Sequence, residues 1–246
     1  MLSVERDARL DVETITLARM ERANALGTPL VERLIAEMTR IAEIQHSTGR
    51  QQVVRFRSQH RAFSAGFDLG EAETQSEGDI LLRLVRIETL LQRLRRGPVA
   101  SIAMVQGAAY GAGADLAISC TWRIGTPKAR FRFPGFGFGV ALGTRHLAAI
   151  VGADMARRIL IENRIVGADE ALDCGLLTHL VQEDEFEDTV ASLSQLPVPF
   201  PDGAVARILG MTGRVSEDQD LADMVRSLAE PGLKDRLAAY QKANAK

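Results

Sequence analysis

The stretch that most constrains this chain runs from Pro98 to Cys120, because it joins an apolar strand, a glycine-rich turn and a helix. Residues 99–105 are uniformly small or apolar, which predicts a short buried strand. The turn that follows places three glycines among alanines, at Gly107, Gly111 and Gly113. A backbone of this composition can bend freely and lets another group approach it closely.

A single acid stands in this stretch, since Asp115 is the only charged residue between Pro98 and Arg123. A helix that begins near Ala112 would direct its unpaired amides and the positive end of its dipole at the turn. Two readings of Asp115 stay open. It is either an acid in the first helical turn that complements the dipole, or an acid/base group whose pKa the apolar surroundings raise.

Length and composition fit one domain, or one domain with a small appendage, of 246 residues and 46% hydrophobic content. The net charge of −2 gives no reason to expect a nucleic-acid partner. Two cysteines, Cys120 and Cys174, are too few for a zinc cluster or a disulfide framework and favour a reduced cytoplasmic setting. The charged N-terminus and the lack of a long apolar run predict neither a signal peptide nor a membrane span.

Hydrophobic periodicity predicts an α/β core of right-handed crossovers, followed by a largely helical last third. The predicted strands are two within 2–17, joined by a turn at 7–9, then 52–56, 99–105, 122–125, 129–133 and 176–181. The predicted helices are 29–44, 80–94, one that begins near Ala112, 145–151, 154–162 and 168–174, and Thr28 is the predicted N-cap of the first. From residue 185 onward the pattern is helical, with an interruption at 197–203. Residues 71–79 and 134–144 are predicted to be irregular, and 71–79 the most flexible.

Several common chemistries are disfavoured by motif spacing. The turn reads G-x-x-x-G-x-G and no lysine follows, so it matches neither the dinucleotide fingerprint nor the phosphate-loop motif. No G-x-S-x-G sequence surrounds Ser64 or Ser101, which argues against a serine hydrolase. No two histidines have the spacing of metal ligands, so no metal site is predicted.

Taken together, five segments resemble the enoyl-CoA hydratase/isomerase (crotonase) family and occur in the family's order. They are RMERANAL (19–26), AFSAGFDL (62–69), VQGAAYGAGADLAIS (105–119), ARFRFPGFGFG (129–139) and ADEALDCGLLTHLV (168–181). The resemblance implies an α/β fold, a crotonase-like spiral of β-β-α units spanning residues 1–185. It also implies a C-terminal helical segment, 186–246, used for trimer contacts in a homotrimer or a dimer of trimers.

The resemblance also implies a site for an acyl-CoA thioester, with coenzyme A as part of the substrate, no separate cofactor, and a place in fatty acid metabolism. The thioester carbonyl would lie between the backbone amides of Phe67 and Ala112, with Asp115 as acid/base. Such a donor contributes ~3 kcal/mol at the transition state. The other implied substrate-binding residues are Arg22, Ala23, Ala25, Ala65, Gly66, Asp68, Leu69, Gly111, Pro134 and Gly135.

The chain departs from the family pattern where hydratases carry two glutamates. Asp115 replaces the first with a shorter acid, and Gly135 replaces the second with no side chain. A second proton-transfer group would have to come from elsewhere, and the candidates are His60, Asp68, Glu71 and Glu73. Three hypotheses remain open: a hydratase or isomerase that uses Asp115, another enolate reaction such as decarboxylation or thioester hydrolysis, and a non-catalytic acyl-CoA-binding protein.

Overall fold

The computed structural model describes residues 2–195, 203–212 and 217–244, and it contains two sheets surrounded by helices. The strands are β1 (Leu2–Asp7), β2 (Val12–Leu17), β3 (Val53–Ser58), β4 (Ala100–Val105), β5 (Ala108–Tyr110), β6 (Trp122–Gly125), β7 (Arg130–Arg132), β8 (Val166–Gly167) and β9 (His179–Leu180). The helices are α1 (Thr28–Thr48), α2 (Leu69–Ala72), α3 (Glu77–Arg96), α4 (Ala112–Ile118), α5 (Thr144–Val151), α6 (Ala153–Glu162), α7 (Ala168–Asp173), α8 (Phe186–Ser194), α9 (Ala204–Thr212), α10 (Glu217–Ala229) and α11 (Leu233–Asn244).

The larger sheet has the strand order β1-β2-β3-β4-β6-β9 and is parallel except for the β1–β2 hairpin. The smaller sheet has the order β5-β7-β8, with β5 parallel to β7. Each of β4 and β6 is therefore followed by a strand in the other sheet and then by a helix. The extended residues after β3 repeat the pattern, because Ser64 bridges to Ala109 of β5 before α2 begins. This repetition confirms the predicted α/β architecture of β-β-α units.

The main core is formed by both sheets and the apolar faces of α1 and α3. β4 is buried along its whole length, as expected for a central parallel strand. A separate apolar cluster joins α3 to the C-terminal helices α10 and α11 through Leu84, Met224, Leu233 and Leu237. This second cluster is important for function because it brings the end of the chain over the region that follows β7.

Several element boundaries differ from the sequence prediction. Helix α1 begins one residue earlier than predicted, with Gly27 and not Thr28 as its N-cap. Helix α3 begins at Glu77 because Ser76 and Asp79 form a reciprocal capping box, so 71–79 is more ordered than predicted. The strands β5 and β8 were not predicted, and the strand predicted at 176–181 is reduced to β9.

Two further expectations meet the structure only in part. The irregular segment 134–144 contains a short 3-10 helix, Gly135–Phe138, immediately after β7. Most of the predicted interruption at 197–203 lies outside the described residues. Among the described residues, every helix is too short or too polar to cross a bilayer. The domain boundary at 185 and the trimer contacts of the last third stay predictions.

Candidate active site

Two glycine turns meet at one place, where the segment after β3 runs against the start of α4. Gly66 has a φ of +87°, and a Cβ at this position would lie 3.1 Å from the amide nitrogen of Ala112 and would collide with the carbonyl oxygen of Tyr110. The amide of Tyr110 donates a 2.9 Å hydrogen bond to the carbonyl of Ser64, which fixes the two segments side by side. Only glycine satisfies both the left-handed backbone and the close approach at position 66.

The second turn leaves the first amide of α4 available. Gly111 adopts a φ of +51° as N-cap, and its carbonyl accepts hydrogen bonds from the amides of Ala114 and Asp115 at 2.8 and 3.0 Å. Within residues 2–195, 203–212 and 217–244, the amides of Phe67 and Ala112 have no hydrogen-bond acceptor. These two unused donors lie on the two segments that Gly66 brings into contact.

Both residues line the same cavity, which has a volume of about 80 Å³. Apart from Asp115 and Tyr240, its lining is apolar or glycine. The lining residues are Ala65, Phe67, Leu69, Leu84, Gly111, Ala112, Asp115, Phe133, Pro134, Gly135, Phe136, Phe138, Val140, Leu142, Leu160 and Tyr240. Eight of the sequence-predicted site residues are among them: Ala65, Phe67, Leu69, Gly111, Ala112, Asp115, Pro134 and Gly135.

Asp115 is the one carboxyl group in the described lining of this cavity, and it is only 4% exposed. Its Oδ1 has no hydrogen-bond partner among the described residues. Gly143, at φ +63°, packs directly against the carboxyl, where any Cβ would collide with Oδ1 and lie 2.7 Å from Cγ. Burial raises the pKa of Asp115 well above its usual range, the charge of Glu88 raises it further, and Arg95 opposes both.

No side chain takes the place of an acid at Gly135. A Cβ built there would lie 2.7 Å from the carbonyl oxygen of Val140, so the backbone itself fills the space. The amide of Val140 also donates a 2.9 Å hydrogen bond to the carbonyl of Gly135, which closes this turn tightly. A carboxylate at position 135 would therefore require the loop to move.

The four candidates for a second proton-transfer group lie outside the described cavity lining and are held elsewhere. Asp68 is 2.5 Å from the guanidinium of Arg19 and caps α2. Glu71 accepts a 3.1 Å hydrogen bond from the amide of Thr28. Glu73 accepts a bond from Gln241, and the Nδ1 of His60 accepts one from the amide of Ala62 at 3.0 Å. Each of these contacts is structural.

The predicted binding residues of the first motif form a tight turn outside the cavity. Arg22 ends a 3-10 helix and is exposed. Its Nη1 lies against Gly70, 3.0 Å from where a Cβ would stand if that residue had one. Ala23 and Asn24 have positive φ, and the carbonyl of Ala23 accepts a 2.9 Å hydrogen bond from Ala65. The turn is therefore joined to the Gly66 segment, although Arg22, Ala23 and Ala25 do not line the cavity.

Sequence reasoning missed the distal part of the cavity. Tyr240 comes from α11, where its ring meets that of Phe138 edge-on with centroids 5.0 Å apart. Arg236, on the same helix, donates a 3.1 Å hydrogen bond to the carbonyl of Phe138. No motif marked these residues, because only the packing of α11 on the 3-10 helix brings them to the site.

Comparison with known proteins identifies the family and the fold. Residues 8–202 match the enoyl-CoA hydratase/isomerase family model. A probable enoyl-CoA hydratase, echA6 of Mycobacterium leprae, is 32% identical over 210 residues, which covers 84% of this chain and 82% of the relative. The short-chain-enoyl-CoA hydratase of Clostridium acetobutylicum is 30% identical over 192 residues, 74% of this chain and 70% of that protein.

A solved structure from Bordetella parapertussis, which has enoyl-CoA hydratase/isomerase as a provisional name, superposes with a TM-score of 0.90. It is 39% identical, and the match covers 97% of each chain. The α/β spiral with its C-terminal helices is therefore the crotonase fold. The chain belongs to the enoyl-CoA hydratase/isomerase family.

Proposed function

We propose that this chain is an enzyme that acts on acyl-CoA thioesters, with Asp115 as its acid/base. The amides of Phe67 and Ala112 would donate to the thioester carbonyl and stabilise the enolate oxygen that forms when the α-carbon loses a proton. The observation that carries this proposal is the convergence of two unused amides and one buried carboxyl on the same cavity. Small residues around Gly66 and Gly111 give the carbonyl access to both donors.

A reaction that moves a proton without adding water fits this site best. Hydration requires one group to activate water and another to protonate the α-carbon, and the backbone of Val140 occupies the space where Gly135 would carry the second group. A single carboxylate suffices for double-bond isomerisation. Asp115 would take a proton from C2 of a 3-enoyl thioester and return it to C4, so that the double bond moves to C2–C3 and no atom is gained or lost.

Decarboxylation is the second candidate, and the protonation of Asp115 favours it. Loss of CO₂ from an α-carboxylated (malonyl-type) acyl thioester leaves its electron pair on the α-carbon and so would produce the same enolate, which a neutral Asp115 could then protonate at that carbon. The raised pKa of Asp115 provides this neutral form at a higher pH than an exposed aspartate would.

Direct assays separate these reactions. The protein is incubated with 3-enoyl-CoA, with 2-enoyl-CoA and with a 2-carboxyacyl-CoA of the malonyl type, and the conjugated thioester absorbance, 3-hydroxyacyl-CoA and CO₂ are measured. We expect isomerisation to exceed hydration by at least the ~10² lower limit of one acid/base contribution. Hydration as fast as isomerisation would contradict the one-carboxylate mechanism. Binding of all three esters without turnover would identify a non-catalytic acyl-CoA-binding protein.

The rate of isomerisation is expected to rise with pH. The carboxylate form of Asp115 is the base, and burial raises its pKa well above its usual range. Activity is therefore lost as the pH falls through this raised pKa, whereas an ordinary aspartate, with a pKa near ~3.9, would give a flat profile from about pH 6 upward. The measurement is kcat/KM against pH, and a flat or falling profile would count against Asp115 as base.

Arg83 is expected to position one of the two donors. Its guanidinium lies 4.2 Å above the ring of Phe67, and its Nη2 donates a 3.0 Å hydrogen bond to the carbonyl of Asp68. We expect Arg83→Met to lower kcat/KM by ~10²-fold, the effect of a small misplacement of a catalytic group. Arg86→Met is the matched control, because Arg86 lies on the same helix and pairs with Glu32 at the surface. Equal effects of both variants would refute the positioning role.

A trimeric assembly, or a dimer of trimers, remains part of this proposal. Three apolar side chains on and near α6 and α7 are exposed, namely Ile161, Ile165 and Leu172. Ile161 is 83% exposed. Light scattering after gel filtration would give the mass in solution, and a monomer at micromolar concentration would contradict this assembly.

A further inference from the structure

A group of buried charged side chains from two helices, α3 and α10, lies near α4, the helix that carries Asp115. On α3, Nη2 of Arg95 is 2.5 Å from Oε1 of Glu88, which is only 1% exposed. Asp220 of α10 approaches the same guanidinium nitrogen at 3.8 Å. Gln92 adds a 3.0 Å hydrogen bond to Glu88. One buried guanidinium is thus held between two carboxylates.

This group is linked to the surroundings of Asp115 from two sides. Helix α3 packs against α4, which carries Asp115. On the other side, the backbone of Gly143 contacts the Asp115 carboxyl, and two residues later Arg145 approaches Asp220 at 3.6 Å. Arg145 also pairs with Asp223 at the protein surface. Asp115 therefore lies on a helix that packs against α3, and its carboxyl contacts Gly143 just before α5. Both α3 and α5 contact Asp220.

The elements around α4 carry several other ionisable groups, and on α3 the buried Arg83 pairs with Glu71. β4 carries none, β5 carries Tyr110, and α5 carries His146, whose Nε2 lies 2.9 Å from the carbonyl of Ile118. Of the nearby cations, Arg95 is buried between Glu88 and Asp220, and Arg145 is half exposed. Glu88 and Asp220 both approach the buried Arg95, whereas Oδ1 of Asp115 has no hydrogen-bond partner among the described residues.

We propose that Glu88 is a positioning residue that keeps the proton on Asp115, because it holds Arg95 as its own counter-ion and places a negative charge beside the site. Ionising a third carboxyl next to this pair is unfavourable in a medium of low dielectric constant. Burial raises the pKa of Asp115, the charge of Glu88 raises it further, and Arg95 lowers it. Burial raises the pKa of Glu88 as well, and the guanidinium of Arg95 opposes that rise. The effect of Glu88 on turnover rests on the proposed function, whereas its effect on the protonation of Asp115 does not.

The test uses substitutions that should shift the protonation of Asp115 in opposite directions. Glu88→Gln removes a negative charge and should lower the pH at which Asp115 titrates by roughly one unit, the scale on which buried sites interact. Arg95→Gln removes the positive charge and should raise it. If Glu88 and Arg95 acted only through packing, both substitutions would shift the pH at which Asp115 titrates in the same direction. If Arg95→Gln does not fold, Asp220→Asn takes its place. This variant should lower the pH at which Asp115 titrates, as Glu88→Gln does.

Two readouts keep this inference separate from the proposed function. The first is the ¹³Cγ chemical shift of Asp115 against pH, which needs no substrate and is assigned with Asp115→Asn. The second is the midpoint of kcat/KM against pH. Glu32→Gln is the matched control, since it also removes a carboxylate that pairs with an arginine of α3, but at the surface. An unchanged Asp115 titration in Glu88→Gln would overturn the inference. If the Asp115 titration shifts in Glu88→Gln but the wild-type protein shows no turnover, the inference stands and the proposed enzymatic function is refuted.

Discussion

Replacing Asp115 with asparagine is expected to lower kcat/KM for proton transfer by ~10²–10⁴-fold, the contribution of one acid/base group. The amide is nearly the same size as the carboxylic acid, so the cavity and the affinity for acyl-CoA esters should change little. The free energy of unfolding should also be maintained, because asparagine removes a buried ionisable group that accepts no charge-stabilising hydrogen bond at Oδ1 among the described residues. Steady-state kinetics and ester affinity, measured on the same preparation, test this.

Asp154→Asn provides the matched control for this substitution. Asp154 lies in the first turn of α6, as Asp115 lies in the first turn of α4, but its side chain is exposed. If Asp115 served only to complement a helix dipole, both substitutions would cost similar stability and leave turnover alone. A loss of stability without a loss of turnover in Asp115→Asn would therefore support the structural reading and contradict the catalytic one.

Replacing Ala112 with proline is expected to lower kcat/KM by ~10²–10³-fold, the cost of removing one oxyanion donor. Ala112 is the first residue of α4, a position at which proline suits the helix because its missing N–H has no intrahelical acceptor. The substitution therefore deletes the amide that the proposal assigns to the thioester carbonyl while the helix is kept. The loss should appear in kcat as well as in kcat/KM, because the donor bonds most strongly to the developing enolate.

Ala153→Pro tests whether proline is tolerated at such a position in this fold. Ala153 is also the first residue of a helix, α6, and also follows a glycine N-cap. This variant should retain the activity and the thermal midpoint of the wild type. Normal turnover in Ala112→Pro, with a folded protein, would mean that the Ala112 amide does not bind the reacting carbonyl.

The centre of the site could be predicted from the sequence because local chemistry determines it. Gly66 and Gly111 require positive φ, and both signal their turns without knowledge of the rest of the fold. Asp115 stood out as the lone charge in an apolar stretch, and its burial follows from its place on α4 beneath α3. The resemblance to the family then indicated that the two turns lie together, which the bridge between Ser64 and Ala109 explains.

The periphery of the site could not be predicted, because long-range packing creates it. Tyr240 reaches the cavity only through the packing of α11 on the 3-10 helix that follows β7. Glu88 and Arg95 belong to no motif that the sequence displays, and Arg95 meets Asp220 of α10, more than a hundred residues away, only in the folded chain. The start of α3, in contrast, could have been predicted from the sequence. Ser76 and Asp79 have the spacing of a capping box, although the segment around them is polar.

The most direct test of the account is hydrogen exchange at the α-carbon of a saturated acyl-CoA in D₂O, followed by NMR. Enolate formation needs only the two amide donors and one base, so this measurement is independent of which overall reaction the enzyme performs. We predict that the wild-type protein exchanges the α-protons well above the uncatalysed rate, that Asp115→Asn abolishes the exchange, and that Ala112→Pro reduces it. Binding of the ester without exchange in the wild-type protein would contradict the assignment of Phe67, Ala112 and Asp115 as a catalytic site.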